Sequence, residues 1–105
     1  MNTSKRDNER FDPIDKMIFE EGLRIRKLFF DREIDLMLVV LNNGKVIRGL
    51  ISKYKLLRGA SQEELETYEI SKTGVHWPGL DEDLSLRGFL KTAMLSSLHP
   101  EGTLV

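Results

Sequence analysis

Two apolar runs, Leu36-Met37-Leu38-Val39-Val40-Leu41 and Val46-Ile47-Arg48-Gly49-Leu50-Ile51, flank Asn43-Gly44. Such runs around Asn-Gly predict a β-hairpin, because both residues tolerate the positive φ angles of a two-residue type I′ turn. That turn predicts Asn42 opposite Lys45, Val40 opposite Ile47, Leu38 opposite Gly49 and Leu36 opposite Ile51. The resulting face is wholly apolar. The other pairs Leu41 with Val46, Val39 with Arg48 and Met37 with Leu50, and a slip of one residue would exchange the two. Gly49 leaves a gap on the apolar face, and Trp77 is expected to fill it.

The flanking patterns are shorter. Asp12-Pro13 reads as an N-cap with proline at the first helical position. Ile14, Met17 and Ile18 share a helical face, and Gly22 is a C-terminal stop, giving about two to three turns. From Leu23 the apolar residues Leu23, Ile25 and Phe29 alternate with others, which suits a strand, although a continued helix fits residues 23–30 as well. Asp31-Arg32-Glu33 forms a turn. Residues 52–60 are a basic, partly helical connection. Ser61-Gln62-Glu63-Glu64 matches a capping box, and Leu65 and Tyr68 give the helix after it an apolar edge. Glu69 to Val75 reads as a strand or extended segment with a local turn at Thr73-Gly74. Leu86, Phe89, Leu90, Ala93, Met94 and Leu98 recur at helical spacing, although Gly88 weakens that helix. The pattern predicts an α+β fold: a small antiparallel sheet, the Asn43-Gly44 hairpin plus one or two further strands, packed with short helices. Residues 12–98 are expected as one domain, between a disordered leader 1–11 and a flexible tail 99–105.

Composition narrows the functions. A chain of 105 residues builds one modest core. A net charge of −1 gives no whole-chain drive toward nucleic acid or membrane. The absence of cysteine excludes disulfides, thiolate catalysis and cysteine zinc sites. The longest apolar run, Leu36 to Leu41, is too short to span a bilayer, and Met1 to Arg10 lacks the apolar core of a signal peptide. A cytoplasmic location is the simplest reading.

Rare residues concentrate at His76-Trp77-Pro78-Gly79-Leu80-Asp81-Glu82-Asp83-Leu84-Ser85. The Trp77-Pro78 bond is one that can be cis, Gly79 permits a sharp turn, and the acids with Ser85 are placed to start the last helix. On this reading Trp77 plugs the core, Pro78 and Gly79 turn the chain, and Asp81, Glu82, Asp83 and Ser85 cap. A metal site from the acids and His76 lacks the further oxygen ligands of a calcium loop. His99 is the only other imidazole, too few for structural zinc. No nucleophile elbow, phosphate loop or dinucleotide fingerprint is present. No catalytic residue, metal or cofactor is expected, and the chain reads as a non-enzyme. Charge placement is uneven. Lys45, Arg48, Lys53, Lys55 and Arg58 precede an acidic stretch from Glu63 to Asp83. With Tyr54 among them, these bases form a candidate nucleic-acid contact, set against a plain solvated face.

The run from His76 to Ser85, followed by Leu86-Arg87-Gly88-Phe89-Leu90, resembles the C-terminal signature of domain-of-unknown-function family 2442. There, Trp-Pro is followed by an Asp-Glu-Asp-Leu-Ser segment. Ala60-Ser61-Gln62-Glu63-Glu64-Leu65 is similar to the family's preceding Ala-Ser-Pro-Glu segment, and the hairpin takes the place of its strand-turn-strand. The resemblance covers residues 23–91. It implies a small bacterial α+β domain and supplies no catalytic residues. Some members are joined to a helix-turn-helix segment, and others are encoded beside another small domain, as in toxin–antitoxin pairs. This chain departs from the fused form, since residues 86–105 supply one helix only. The leading expectation is a non-catalytic protein-interaction module, an antitoxin-like or regulatory partner in a two-gene pair. It would contact its partner through His76, Trp77, Pro78, Asp81, Glu82, Asp83 and Ser85. That partner is another protein, with a second copy of the chain the other candidate. A nucleic-acid-binding regulator using Arg48, Lys53, Tyr54, Lys55 and Arg58 comes second, and a metal-dependent enzyme third.

Overall fold

The computed structural model describes residues 12–98; the expected leader 1–11 and tail 99–105 lie outside the described residues. Asp12 opens the first helix, α1 (Pro13–Asp15). Its carboxylate accepts the Asp15 amide, and proline sits where no donor is needed. A π-type turn, Lys16–Glu20, continues the helix, and Gly22 ends it at φ 75°. Ile14 and Ile18 are buried.

Residues 23–30 leave the helix for a strand. β1 (Ile25–Asp31), β2 (Leu36–Leu41) and β3 (Val46–Leu50) form an antiparallel sheet in that order. Leu28 and Phe30 face the core, and Phe29 does not. A bulge between Ile25 and Lys27 adds one residue and resets the alternation.

The hairpin register lies one residue from the expected one. Leu41 N–H bonds the Lys45 carbonyl and Gly44 N–H bonds the Leu41 carbonyl, so the loop has three residues. Only Gly44, at φ 89°, is left-handed, as the last residue of such a loop requires. Asn43 instead accepts the Lys45 amide on its side chain at 3.0 Å. Asn42 turns away to bond Arg24 and Gly22. Val39 therefore faces Ile47, Met37 faces Gly49, Leu38 faces Arg48, Val40 faces Val46 and Leu36 faces Leu50. The buried set is Met37, Val39 and Leu41, and Leu36, Leu38 and Val40 lie on the opposite face.

A 3-10 turn (Ile51–Lys53) and two short helices, α2 (Lys55–Arg58) and α3 (Gln62–Glu66), follow. The capping box forms as expected: Ser61 Oγ accepts Glu64 N–H, and the Glu64 carboxylate accepts Ser61 N–H. A second antiparallel sheet follows, of β4 (Glu69–Ser71), β5 (Gly74–Trp77) and β6 (Glu82–Ser85) in that order. The last helix, α4 (Leu86–Leu98), packs on α1, β3, β5 and β6. The fold is α+β. No helix among the described residues is long and apolar enough to cross a membrane.

Both sheets share one core. Trp77 is fully buried, edge-on to Phe30 at 6.2 Å and to Tyr68 at 6.4 Å, and its Nε1–H donates to the Leu65 carbonyl at 2.9 Å. Trp77 is a core plug, but not at Gly49. The nearest side chain to a Cβ there is Met37, with Cε at 3.7 Å, and Tyr54 packs edge-on against Phe89 beside it. Tyr68 joins the sheets, its hydroxyl donating to the Leu28 carbonyl and accepting the Leu28 amide. Gln62 Nε2 donates to the Phe30 carbonyl, so side chains occupy the outer edge of β1.

Tyr68→Phe keeps the ring and deletes both bonds to Leu28, and is expected to cost about 1–3 kcal/mol. Trp77→Ala is expected to cost about 3–5 kcal/mol. Urea denaturation followed by circular dichroism checks both; unchanged midpoints would show that the sheets are joined by other contacts.

Candidate functional site

The signature from His76 to Ser85 folds as a hairpin. His76 pairs with Asp83, Trp77 with Glu82, Val75 with Leu84 and Gly74 with Ser85. A Cβ at Gly74 would collide with the Leu84 carbonyl, which explains glycine at this close crossing. Pro78 to Asp81 make the turn; Leu80 N–H bonds the Trp77 carbonyl, and Asp81 takes φ 52°. The Trp77-Pro78 bond is trans. The acids therefore do not lead straight into the last helix, as expected from the sequence; β6 intervenes, and Ser85 alone caps α4, accepting Gly88 N–H at 2.9 Å. Glu82 accepts the Asp83 amide, and Asp83 reaches across the strands to His76 Nδ1 at 2.8 Å. With Asp83 79% exposed, this pair adds little stability. Among the described residues no three side chains of His, Asp or Glu gather as metal ligands.

The sequence pattern did not reveal the tightest ionic contact. Arg87 on α4 grips the start of α1: Nη2 lies 2.7 Å from Asp12 Oδ2, and Nη1 lies 2.6 Å from Asp15 Oδ1. Arg87's hydrogen bond, with the Asp15 amide second, lowers the Asp12 carboxyl from 3.8 to about 2. The same contact raises Arg87 above its ordinary value.

The basic stretch is divided between faces. Tyr54 is half-buried, its ring edge-on to Phe89 and its phenol raised by burial. Lys53 lies over that ring, with Nζ 5.9 Å from the centroid, and Lys55 is exposed on α2. Arg58 Nε donates to the Ser52 carbonyl. Ser52 donates its amide and hydroxyl to Asp35, whose carboxyl falls below its ordinary value through the hydroxyl bond first. Arg48 stands apart, on the outer face of the first sheet.

That outer face is the surface the sequence reading missed. The register stacks Lys27, Val40 and Val46 in one row, Phe29, Leu38 and Arg48 in the next, and Asp31, Leu36 and Leu50 in the third. Phe29 is 50% exposed, Val46 51% and Leu50 54%, and Ile34 in the adjoining turn 64%. The signal was present in Leu36 to Leu41. Apolar residues on both faces of a strand need a cover on each side, and the core covers one.

The family model "Protein of unknown function (DUF2442)" matches residues 25–94, both sheets and most of α4. The chain belongs to the DUF2442 family. Two solved structures share its fold. A protein of unknown function from Rhodospirillum rubrum is 34% identical, with a TM-score of 0.58, over 68% of this chain and 88% of that one. An uncharacterized protein from Chromobacterium violaceum, solved by solution NMR, is 27% identical, with a TM-score of 0.62, over 89% and 93% of the two chains. No curated protein matches the sequence. Neither the DUF2442 family nor these neighbours carries an assigned catalytic activity.

The Asp12–Arg87 contact makes stability pH-dependent. A carboxyl lowered in the fold stabilises fully above its unfolded value and loses that effect as pH falls through its folded one. The contribution is therefore complete above pH 3.8 and fades toward pH 2. The gap in urea midpoint between the wild type and Arg87→Gln is expected to hold steady above pH 4 and to narrow below it. A gap that stays constant to pH 2 would show that the guanidinium acts through packing alone.

Proposed function

We propose that this DUF2442 chain is a non-catalytic protein-interaction module. The observation that carries this reading is the outer face of the first sheet, uncovered among the described residues, where Phe29, Leu36, Leu38, Val40, Val46 and Leu50 adjoin one another. Strand spacing and rise make it roughly 10 by 13 Å between side-chain axes. Its accessible area is of the order of a few hundred Å², the scale at which an apolar patch marks an interaction site. Lys27, Asp31 and Arg48 border it with both charges, which favours a partner of matching polarity. The finer assignment, an antitoxin-like partner in a two-gene pair, draws on the gene context of the family the chain resembles. Of the signature, Trp77 is buried in the core, while Pro78, Asp81, Asp83 and Ser85 are exposed and remain candidates for partner contact.

The test uses the tagged chain in its native cell, beside the double variant Phe29→Glu, Leu50→Glu. Both side chains are half-exposed, so stability is expected to change by less than about 1 kcal/mol. The wild type should retain a stoichiometric protein partner through size exclusion, and the variant should lose it. A partner held equally by both, or none at all, would sink the proposal.

A further inference from the structure

We infer that β3 receives an extended segment of a partner protein as a fourth strand. A carboxylate of that segment lies against Arg48, and one of its apolar side chains enters the gap at Gly49. This rests on the interaction reading above and gives it a site.

The first sheet has one closed edge and one open edge. On β1, Tyr68 and Gln62 occupy the outward groups of Leu28 and Phe30. On β3 the ladder alternates from the Leu41–Lys45 bond. Ile47 and Gly49 thus bond toward β2, and the N–H and C=O groups of Val46, Arg48 and Leu50 point out of the sheet. Among the described residues no turn, loop or cap bond reaches them. Such an edge is a template for another strand.

The inner side of that edge carries a shallow groove lined by Met37, Ile47, Gly49, Lys53, Tyr54 and Phe89. Its depth comes from Gly49, since a Cβ there would meet nothing nearer than Met37 Cε at 3.7 Å. A strand laid along β3 alternates its side chains, so every second one falls toward this groove. The lining suits an aliphatic or aromatic residue.

Charge selects the occupant. Lys53 is the charged side chain at the groove, Arg48 stands on the outer face of the same edge, and Lys45 at the start of the strand. A basic edge favours a strand bearing Asp or Glu and repels a basic one. It also repels a second copy of this chain. Antiparallel self-pairing of Val46–Leu50 along its full length would set Arg48 opposite its own counterpart, and like charges directly opposite destabilise a sheet. Size points the same way. The outer face falls short of the roughly 800 Å² that each side of a stable interface buries, and main-chain bonds from an added strand make up the difference.

The test is a phage-displayed library of random dodecapeptides panned on the full chain. Enriched peptides are expected to alternate apolar residues with at least one Asp or Glu. A synthetic peptide of the enriched sequence should shift the amide resonances of Val46, Arg48 and Leu50 and slow their hydrogen exchange. Its affinity should fall about tenfold or more in Arg48→Glu and in Gly49→Val, whose side chain fills the groove. Arg48 is exposed and a Cβ at Gly49 has room, so neither variant should lower the unfolding midpoint. No enrichment, enrichment of basic peptides, or shifts confined to other elements would overturn the site. The two readings fail separately. A native partner lost by Phe29→Glu but kept by Arg48→Glu and Gly49→Val leaves the interaction role standing and removes the β3 edge.

Discussion

Two small sheets, each of three strands, are held as one body by the ring cluster of Trp77, Phe30 and Tyr68. The strands of the second sheet run to only three or four residues, so it depends on the packing against the first. The cluster solves a polar problem as well as an apolar one. Burying Trp77 brings its ring N–H into the core, where the Leu65 carbonyl accepts it. Packing Tyr68 beside the indole places its hydroxyl on the backbone of Leu28. The same side chains that fill the core thus close one edge of the first sheet. Among the described residues the other edge and the outer face receive nothing comparable.

Elements whose causes are local were legible in the sequence. The Asp12-Pro13 helix start, the Gly22 stop, the Ser61–Glu64 capping box and the amphipathic last helix each depend on side chains within a turn of one another. The hairpin was legible as a hairpin, but its register was not. Asn43-Gly44 fits a loop of two residues or of three. Asn42 decides between them by bonding Arg24 and Gly22, which lie far away in sequence. One residue of slip then turned Leu36, Leu38 and Val40 outward and Met37, Val39 and Leu41 inward.

The signature stretch was legible as a junction, though its parts were misassigned. A strand as short as β6 leaves no periodicity, and an acidic run before a helix looks like capping. The cross-strand partner of Asp83 is His76, a relation only the second sheet creates. The Arg87 contact was hidden for a related reason: its carboxylates belong to the other end of the chain. The β3 edge was hidden by its own apolar pattern, which matches that of an interior strand.

The Arg87 contact crosses the boundary of the family match. Arg87 lies inside the stretch that the family model matches, and Asp12 and Asp15 lie before it. Helix α1 lies outside the matched stretch, yet Ile14 and Ile18 are part of the hydrophobic core. A chain trimmed to the matched residues would lose Ile14 and Ile18 from its core and leave a guanidinium without its carboxylates. In this protein the hydrophobic core reaches past the stretch that the family model matches.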